Sequence, residues 1–279
     1  MLATASSPLF LAESSAQDFK PDIAYENNRF VHGIALQKGR AQTGILKLSA
    51  ALSWEPFVDE RWVREENYHN SFLLKGVEND EAIDFCTKNS EKNGLPAISI
   101  GPNEGRYLQL QAKAIGAKRI LELGTLGGHS AIWLARALPE DGELITCELK
   151  PKHAEVAKQN IEHAGLSSKV KVLVGPAAES IAKLDPAQKF DMVFMDCQFG
   201  YVDYLESCKT LLRKGGLIII DNMVFGGYVS DTAVTDYDFI NECRKALEFL
   251  GNNTEFYEAT TMQRVGARSW DGFTFIVRK

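Results

Sequence analysis

The stretch that most constrains the fold of this chain runs from residue 119 to residue 148. A short apolar segment, RILEL, leads into a glycine-containing turn, GTLGG, and then into the apolar segment HSAIWLARAL. A second short apolar segment, ELITCE, follows a Pro-Glu-Asp-Gly turn and ends in Glu148. Apolar runs of strand length on either side of a run of helix length predict a strand, a helix and a second, parallel strand.

The same alternation continues along the chain and predicts an α/β fold. Five strands are expected at residues 119–123, 143–148, 170–174, 190–195 and 217–220, with helices at 128–138, 151–164, 176–184 and 201–213. The tail is expected to form a helix at 235–250, a strand at 254–261, a loop at 266–272 and a strand at 273–277. Two strands joined without a helix pair antiparallel. The prediction is a doubly wound, mostly parallel seven-stranded sheet with an antiparallel C-terminal hairpin.

The glycine turn and the acid at the end of the second strand indicate a nucleoside site. A strand that turns sharply into a helix against a ligand favours glycine at the closest positions, here Gly124 and Gly128. Glu148 follows Gly124 at close to the spacing of about 20 residues at which an acid ending the second strand can bind ribose hydroxyls. The alternative is that these residues only form the turns of an ordinary α/β unit and bind no ligand.

Two features argue against a dinucleotide. The turn has the spacing GxxGG rather than GxGxxG, and it lacks the Gly-Lys-Ser/Thr of a phosphate-binding loop. Glu122 would also place a negative charge where a pyrophosphate would lie, whereas it suits a ligand with an amino group. S-adenosylmethionine satisfies both observations.

Composition narrows the classes of partner. With 279 residues and a formal net charge of −6, the chain has no basic footprint for nucleic acid or an anionic membrane. No apolar stretch approaches the roughly 20 residues that span a bilayer. The five cysteines form no CxxC pair, which indicates reduced thiols in the cytoplasm rather than a zinc site or a disulfide framework. A small-molecule substrate is the expected partner.

A second group of polar residues follows two later strands. Asp196 comes after the fourth predicted strand, and Asp221 and Asn222 come after the fifth. Because ligands on parallel sheets bind beyond the carboxyl ends of the strands, these oxygen donors could hold a divalent cation such as Mg²⁺. The alternative is that they cap turns, as Asp and Asn commonly do.

Several motifs together resemble the cation-dependent O-methyltransferase family, which includes catechol and caffeoyl-coenzyme A O-methyltransferases, and particularly its small bacterial and fungal members. The matching stretches are LPAISIGPNEG, RILELGTLGGHSAIWLARALPEDG, KVLVGPA, FDMVFMD, LLRKGGLIIIDN and WDGF. The resemblance implies a Rossmann-like class I methyltransferase domain over residues 54–279. Residues 1–53 would be an N-terminal extension, either partly disordered or an arm of a homodimer.

The resemblance also implies roles for single residues. Contacts to S-adenosylmethionine are expected at Ile100, Glu122, Gly124, Thr125, Gly128, Ser130, Glu148, Ala177 and Asp196. Asp196, Asp221 and Asn222 would ligate the divalent cation, which in the family draws both oxygens of a catechol-like substrate and lowers the pKa of the hydroxyl. Phe199 and Trp270 are expected beside the substrate.

One motif departs from the family pattern. Where the family usually reads Asp-Ala-Asp-Lys, this chain reads Asp-Cys-Gln-Phe, so Phe199 replaces the lysine that serves as general base. The usual tyrosine of the glycine turn is His129. A histidine has an ordinary pKa near 6.5, so His129 is a candidate replacement base; the alternative is that it only starts a helix.

Two functions remain open at this point. The first is O-methyl transfer from S-adenosylmethionine to a small catechol-, phenol- or polyketide-like substrate of secondary metabolism. The second is a methyltransferase-like protein that binds the cofactor without transferring the methyl group, because the lysine is missing. A nicotinamide-dependent oxidoreductase is disfavoured by the spacing of the glycine turn.

Overall fold

A computed structural model describes residues 58–77 and 80–279 of the chain. Its centre is a seven-stranded sheet with the strand order β3-β2-β1-β4-β5-β7-β6. The strands are β1 (Arg119–Leu123), β2 (Glu143–Glu148), β3 (Val170–Val174), β4 (Phe190–Met195), β5 (Leu212–Ile220), β6 (Tyr257–Val265) and β7 (Trp270–Arg278). The first five pair in parallel, and β7 pairs antiparallel with both β5 and β6. The predicted fold class is confirmed, while the proposed extension at residues 1–53 lies outside the described residues.

Eight α-helices surround this sheet in the described part of the chain. They are α1 (Glu60–Leu73), α2 (Glu81–Lys92), α3 (Pro102–Ala114), α4 (His129–Ala135), α5 (Pro151–His163), α6 (Ala177–Ile181), α7 (Tyr201–Leu211) and α8 (Asp238–Gly251). Local chemistry sets several of their starts. The Asp80 side chain accepts a hydrogen bond from Ile83 N, and α3 and α5 each begin with proline. No helix among residues 58–77 and 80–279 is long and apolar enough to cross a membrane.

The sheet separates two apolar clusters because strand side chains alternate between its faces. On one face, Leu121 and Leu123 pack with residues of α7 and α8. On the other face, Ile120 packs with Trp133 of α4 and Leu108 of α3. Burial of each such side chain stabilises the fold by about 1.5–3 kcal/mol. Because both clusters pack on the same strands, the parallel strands stay aligned and their carboxyl ends lie along one edge of the sheet.

The C-terminal strands differ from the sequence prediction. The structure extends β6 to Val265 and starts β7 at Trp270, where a loop was predicted for 266–272. The paired segment includes Arg264 opposite Asp271 and Val265 opposite Trp270. Most of β6 is exposed, so its sequence lacks the apolar alternation from which strands are predicted.

Several other boundaries also moved. Helices α4 and α7 end at Ala135 and Leu211 rather than at 138 and 213, α8 begins at Asp238 rather than at 235, and β6 begins at Tyr257 rather than at 254. Strand β5 begins at Leu212 rather than at 217, and its pairing with β4 shifts register between Phe190 and Met192. The segment Lys214-Gly215-Gly216 hides this start, since glycine and lysine are poor strand formers. Helix α6 is shorter than predicted, ending at Ile181 instead of 184.

Candidate active site

The candidate site lies where the strand order reverses, between β1 and β4. The backbone N–H of Asp196 donates to Leu123 O at 2.9 Å, and the N–H of Asp221 donates to Met195 O at 3.0 Å. These bonds continue the parallel ladder past the ends of the strands. They place Asp196 and Asp221 side by side at the edge where open α/β sheets bind ligands.

The glycine turn after β1 is required by the fold itself. Gly124 has φ +99°, and a Cβ built there would lie 1.9 Å from the carbonyl oxygen of Asp196. Gly128 has φ +83° and starts α4 in the left-handed region. A Cβ at Gly127 would lie 2.2 Å from Ser90 Oγ. Contacts within the chain therefore already require small residues here, and contact of Gly124 and Gly128 with a ligand stays a prediction.

Glu148, the last residue of β2, holds this turn in place. Its Oε2 accepts hydrogen bonds from Thr125 N at 3.2 Å and from Leu126 N at 2.8 Å. Its Oε1 accepts from Lys150 N at 2.9 Å, and His153 Nδ1 lies 3.5 Å away. The carboxylate thus fixes the loop beside the site and keeps only part of its acceptor capacity for a ligand.

Glu122 of β1 is a fully buried carboxyl group that lacks a full set of partners. The Thr146 hydroxyl donates to Oε2 at 2.6 Å, while Oε1 has no hydrogen-bond partner among the described residues. Burial raises the pKa of Glu122 to about 7, with the hydroxyls of Ser130 and Thr146 acting in the opposite direction. An orphaned carboxyl oxygen next to the glycine turn fits the amino group of S-adenosylmethionine.

The other predicted cofactor residues surround the same strand ends. Ile100 is buried just before α3, and Ser130 is buried in the first turn of α4. The hydroxyls of Thr125 and Thr146 lie 2.5 Å apart. Ala177 is half-buried at the start of α6. Ile100, Thr125, Ser130 and Ala177 thus lie in turns or helix starts that follow β1 or β3, or in the segment leading into α3.

A cluster of carboxylates and an arginine lies at the ends of β4 and β5. Arg264 of β6 forms ion pairs with Glu104 of α3 and, through Nη2 at 3.5 Å, with Asp221 Oδ1. Burial and neighbouring carboxylates raise the pKa of Asp221 and of the half-buried Asp196, while the charge of Arg264 lowers both. Glu104 and Arg264 are not among the residues that the sequence predicts for the site. Arg264 is a mostly buried arginine on an otherwise exposed strand, and this becomes visible only once the position of that strand is known.

Two of the three residues predicted to ligate a cation, Asp221 and Asn222, make contacts within the chain. Asn222 adopts φ +62°, and its side-chain amide donates to Asp271 Oδ2 at 3.1 Å. Asp221 Oδ1 accepts from Asn222 N at 2.7 Å in addition to its contact with Arg264. Across residues 58–77 and 80–279, no three His, Cys, Asp or Glu side chains form a cluster that could hold a metal ion. As arranged, the donor set does not fit a divalent cation, because a guanidinium already lies against one of the two acids.

His129 lies in the first turn of α4 and is almost fully buried. Its Nδ1 has no hydrogen-bond partner within the described residues. Burial lowers the pKa of His129 to about 4, helped by the charges of Arg268 and Arg136 and opposed by that of Asp80. The imidazole is therefore neutral at pH 7. Asp80 and Arg136, whose charges both act on His129, pair with each other at the start of α2.

The two residues expected beside the substrate lie in different places. Phe199 is 53% exposed and lines an open cavity of about 510 Å³ with residues of α8. Trp270 is half-buried, and its indole N–H donates to Gln263 Oε1 at 3.0 Å. Its ring packs on Gly227, in the 3₁₀ turn Phe225–Gly227 that follows β5. The structure thus places Trp270 near the turn after Asn222 and Phe199 on the α8 side.

Known proteins share this architecture and much of this sequence. The profile of a family described as O-methyltransferase matches residues 75–267. A catechol O-methyltransferase from Niastella koreensis is 43% identical over 74% of this chain and 93% of its own length. The structure of an O-methyltransferase from Bacillus cereus in complex with SAH superposes with a TM-score of 0.74 at 34% identity, covering 79% of this chain and 99% of that one. TomG from Streptomyces achromogenes, an O-methyltransferase of tomaymycin synthesis solved with SAM, gives 0.72 at 36% identity, covering 79% and 98%.

Proposed function

Given that the chain belongs to the O-methyltransferase family, we propose that it transfers the methyl group of S-adenosylmethionine to a hydroxyl group of a small phenol-, catechol- or polyketide-like molecule. The observation that carries the proposal is Glu122, whose buried Oε1 lacks a partner at the end of β1. Two solved relatives that hold SAM or SAH support the same cofactor for this chain.

Two carboxylates among the described residues would bind the cofactor. Glu122 would bind the amino group of the cofactor, and Glu148 would bind ribose with the acceptor capacity it retains. When bound, S-adenosylmethionine supplies an electrophilic methyl group on a positively charged sulfur. Holding the acceptor oxygen in line with that methyl group is the main contribution of the site, since orientation alone can account for several kcal/mol of a barrier.

The proton of the substrate hydroxyl needs an acceptor, because Phe199 cannot serve. Asp196 is the best-placed acid: its carboxylate ends β4, is half-buried, and forms no hydrogen bond or ion pair in the described part of the chain. The hydroxyl oxygen forms the new bond to carbon, the bond from carbon to sulfur breaks with its electrons returning to sulfur, and Asp196 takes the proton. A general base typically contributes about 10²- to 10⁴-fold in rate. His129 remains the second candidate for this role.

The test is methyl transfer observed by mass spectrometry over a panel of catechols and monohydroxy phenols. Methylated product is expected from the unmodified chain, and no product from any acceptor would contradict the proposal. The exposed Asp203 of α7 offers a matched Asp→Asn control for variants of Asp196.

The alternative is a protein that binds S-adenosylmethionine without transferring its methyl group. Phe199 at the position of the family lysine favours it. Calorimetric titration separates the two: cofactor binding without any methylated product would favour the alternative, whereas product formation excludes it.

A homodimer is also proposed. Helix α1 has no buried residue, and Tyr68, Phe72 and Leu73 are 61%, 57% and 74% exposed. An apolar stripe of this kind is typical of a contact surface. Light scattering on the full chain should give the mass of two copies; a monomer at all concentrations would contradict this.

A further inference from the structure

The Arg264 side chain is held in place by the pairing of its strand and by a neighbouring aromatic ring. Strand β6 carries Arg264 opposite Asp271 of β7, and its side chain is 23% exposed. The guanidinium lies 5.0 Å from the centre of the Phe273 ring. An arginine over an aromatic face is stabilised by the ring electrons and is held in one orientation. Arg264 is therefore part of the built structure of the site rather than a mobile surface side chain.

Its two acidic partners are equally fixed. Glu104 accepts a hydrogen bond from Gly101 N through Oε2 at 2.6 Å, which closes the capping box of α3, and its Oε1 pairs with Arg264. Asp221 is held by Asn222 N on one oxygen, and that same oxygen faces the guanidinium. Arg264 thus connects the start of α3 to the end of β5 across the carboxylate cluster.

A divalent cation at this position would meet the guanidinium. Asp221 is one of the two acids that would bind it, and Arg264 lies 3.5 Å from Asp221 Oδ1. Two positive charges a few ångströms apart repel strongly in a partly buried site. The side-chain N–H of Asn222 donates to Asp271 Oδ2, which leaves Asn222 Oδ1 unused by this bond. The guanidinium beside Asp221 is therefore the feature that opposes a cation here.

We propose that Arg264 is the resident positive charge of this site and takes the place of the divalent cation, so that the chain works without added metal. Where it concerns catalysis, this inference rests on the proposed methyl transfer. It also widens the substrate class. A metal chelate needs two adjacent oxygens on the substrate, whereas a site without one accepts an aromatic ring with a single hydroxyl.

The decisive experiment measures Mn²⁺ binding by electron paramagnetic resonance, using the full chain and no substrate. The unmodified chain should show no saturable binding below millimolar Mn²⁺. Arg264→Gln removes the charge and should create a saturable site at least about tenfold tighter, because Asp196 and Asp221 then lack their counterion. Arg213→Gln is the matched control: it removes an arginine that pairs with Asp191 near the amino end of β4, away from Asp196 and Asp221, and it should bind no more Mn²⁺ than the unmodified chain.

Two results would overturn the inference. One is saturable Mn²⁺ binding by the unmodified chain as tight as that of Arg264→Gln, and the other is a folded Arg264→Gln variant that gains no site. Should that variant fail to fold, titration of the unmodified chain decides alone, and Arg264→Lys, which keeps the charge, is expected to remain without a site.

Rates of methyl transfer provide an independent test of whether the site needs a metal. Initial rates with a metal chelator and with added Mg²⁺ should agree within about twofold, and a monohydroxy phenol should be methylated. Transfer that a chelator abolishes would overturn the inference and leave the proposed function standing. Absence of transfer under every condition would instead overturn the proposed function, while the Mn²⁺ titration still decides the role of Arg264.

Discussion

The ends of β1 and β2 and the ends of β4 and β5 both bury carboxyl groups, but they balance the charge in opposite ways. At β1, Glu122 keeps one oxygen without a partner, and no basic side chain forms an ion pair with it in the described part of the chain. At β5, Asp221 has Arg264 beside it, and Arg264 also pairs with Glu104. A buried carboxyl without a counterion is costly. The first region is therefore prepared for a cationic ligand, whereas the second supplies its own cation.

The largest expected effect comes from Gly124→Ala, which damages both regions at once. Gly124 combines φ +99° with a Cβ position 1.9 Å from the Asp196 carbonyl oxygen, so a methyl group would force β1 and β4 apart. We expect a loss of at least about 4 kcal/mol in the free energy of unfolding, measured by urea denaturation.

Gly165→Ala is the control for this variant. Its φ is +70°, but a Cβ there meets nothing within 4 Å, so it should cost only the backbone strain of about 1–2 kcal/mol. Equal losses in the two variants would show that the approach of Asp196 is unimportant.

Asp196→Asn is expected to separate the two regions. Methyl transfer should fall by about 10²- to 10⁴-fold, because the acceptor of the substrate proton is removed, while the affinity for S-adenosylmethionine stays within about threefold. Rates are compared with those of Asp203→Asn, which should match the unmodified chain. A rate for Asp196→Asn within a factor of two of the control would exclude Asp196 as the base.

Glu122→Gln addresses the first region alone, through the pH dependence of stability. The ordinary pKa of this carboxyl is 4.5, and burial raises it to about 7 in the folded chain. The resulting stabilisation is fully present below about pH 4.5 and is lost as the pH rises through about 7, so it contributes a fall of about 3 kcal/mol in the unfolding free energy. The Gln variant should lack this fall and bind S-adenosylmethionine more weakly. Identical pH profiles of unfolding would show that Glu122 already has a counterion.

His129→Phe is expected to have the smallest effect. With a pKa of about 4 and the Asp80–Arg136 ion pair close by, His129 belongs to neither charge-balancing arrangement. Methyl transfer should fall by less than about tenfold, measured with cofactor binding as the control. If transfer were abolished while cofactor binding stayed intact, His129 at the start of α4 would be the base that takes the proton of the substrate hydroxyl.

The sequence predicts the parallel half of the sheet well and its antiparallel end poorly. Strands β1, β2, β3 and β4 begin and end where the apolar runs do, because buried parallel strands carry their signal in their own residues. Strand β6 lies at the edge, is mostly exposed, and takes its bounds from pairing with β7. Its position therefore depends on a partner that follows it in the chain.

The site divides in the same way. Glu122, Glu148 and Asp196 can be found from sequence, since each closes a strand or lies next to a glycine turn. Glu104 and Arg264 cannot, because they meet only after α3 and β6 are placed against the end of β5. The counterion of the substrate half thus depends on tertiary contacts that no local motif records.

The position of Arg264 on an edge strand has a consequence for how such sites diversify. Strand β6 pairs on one side only, with β7, and Arg264 is not a member of the five parallel strands or of either apolar cluster. On the proposed role of Arg264, a single codon change at this position would convert a site without metal to a metal-binding one, or the reverse, while the glycine turn after β1 is inherited unchanged. Under that proposal, the ionic requirement of the enzyme and its choice of methyl donor are separately heritable traits.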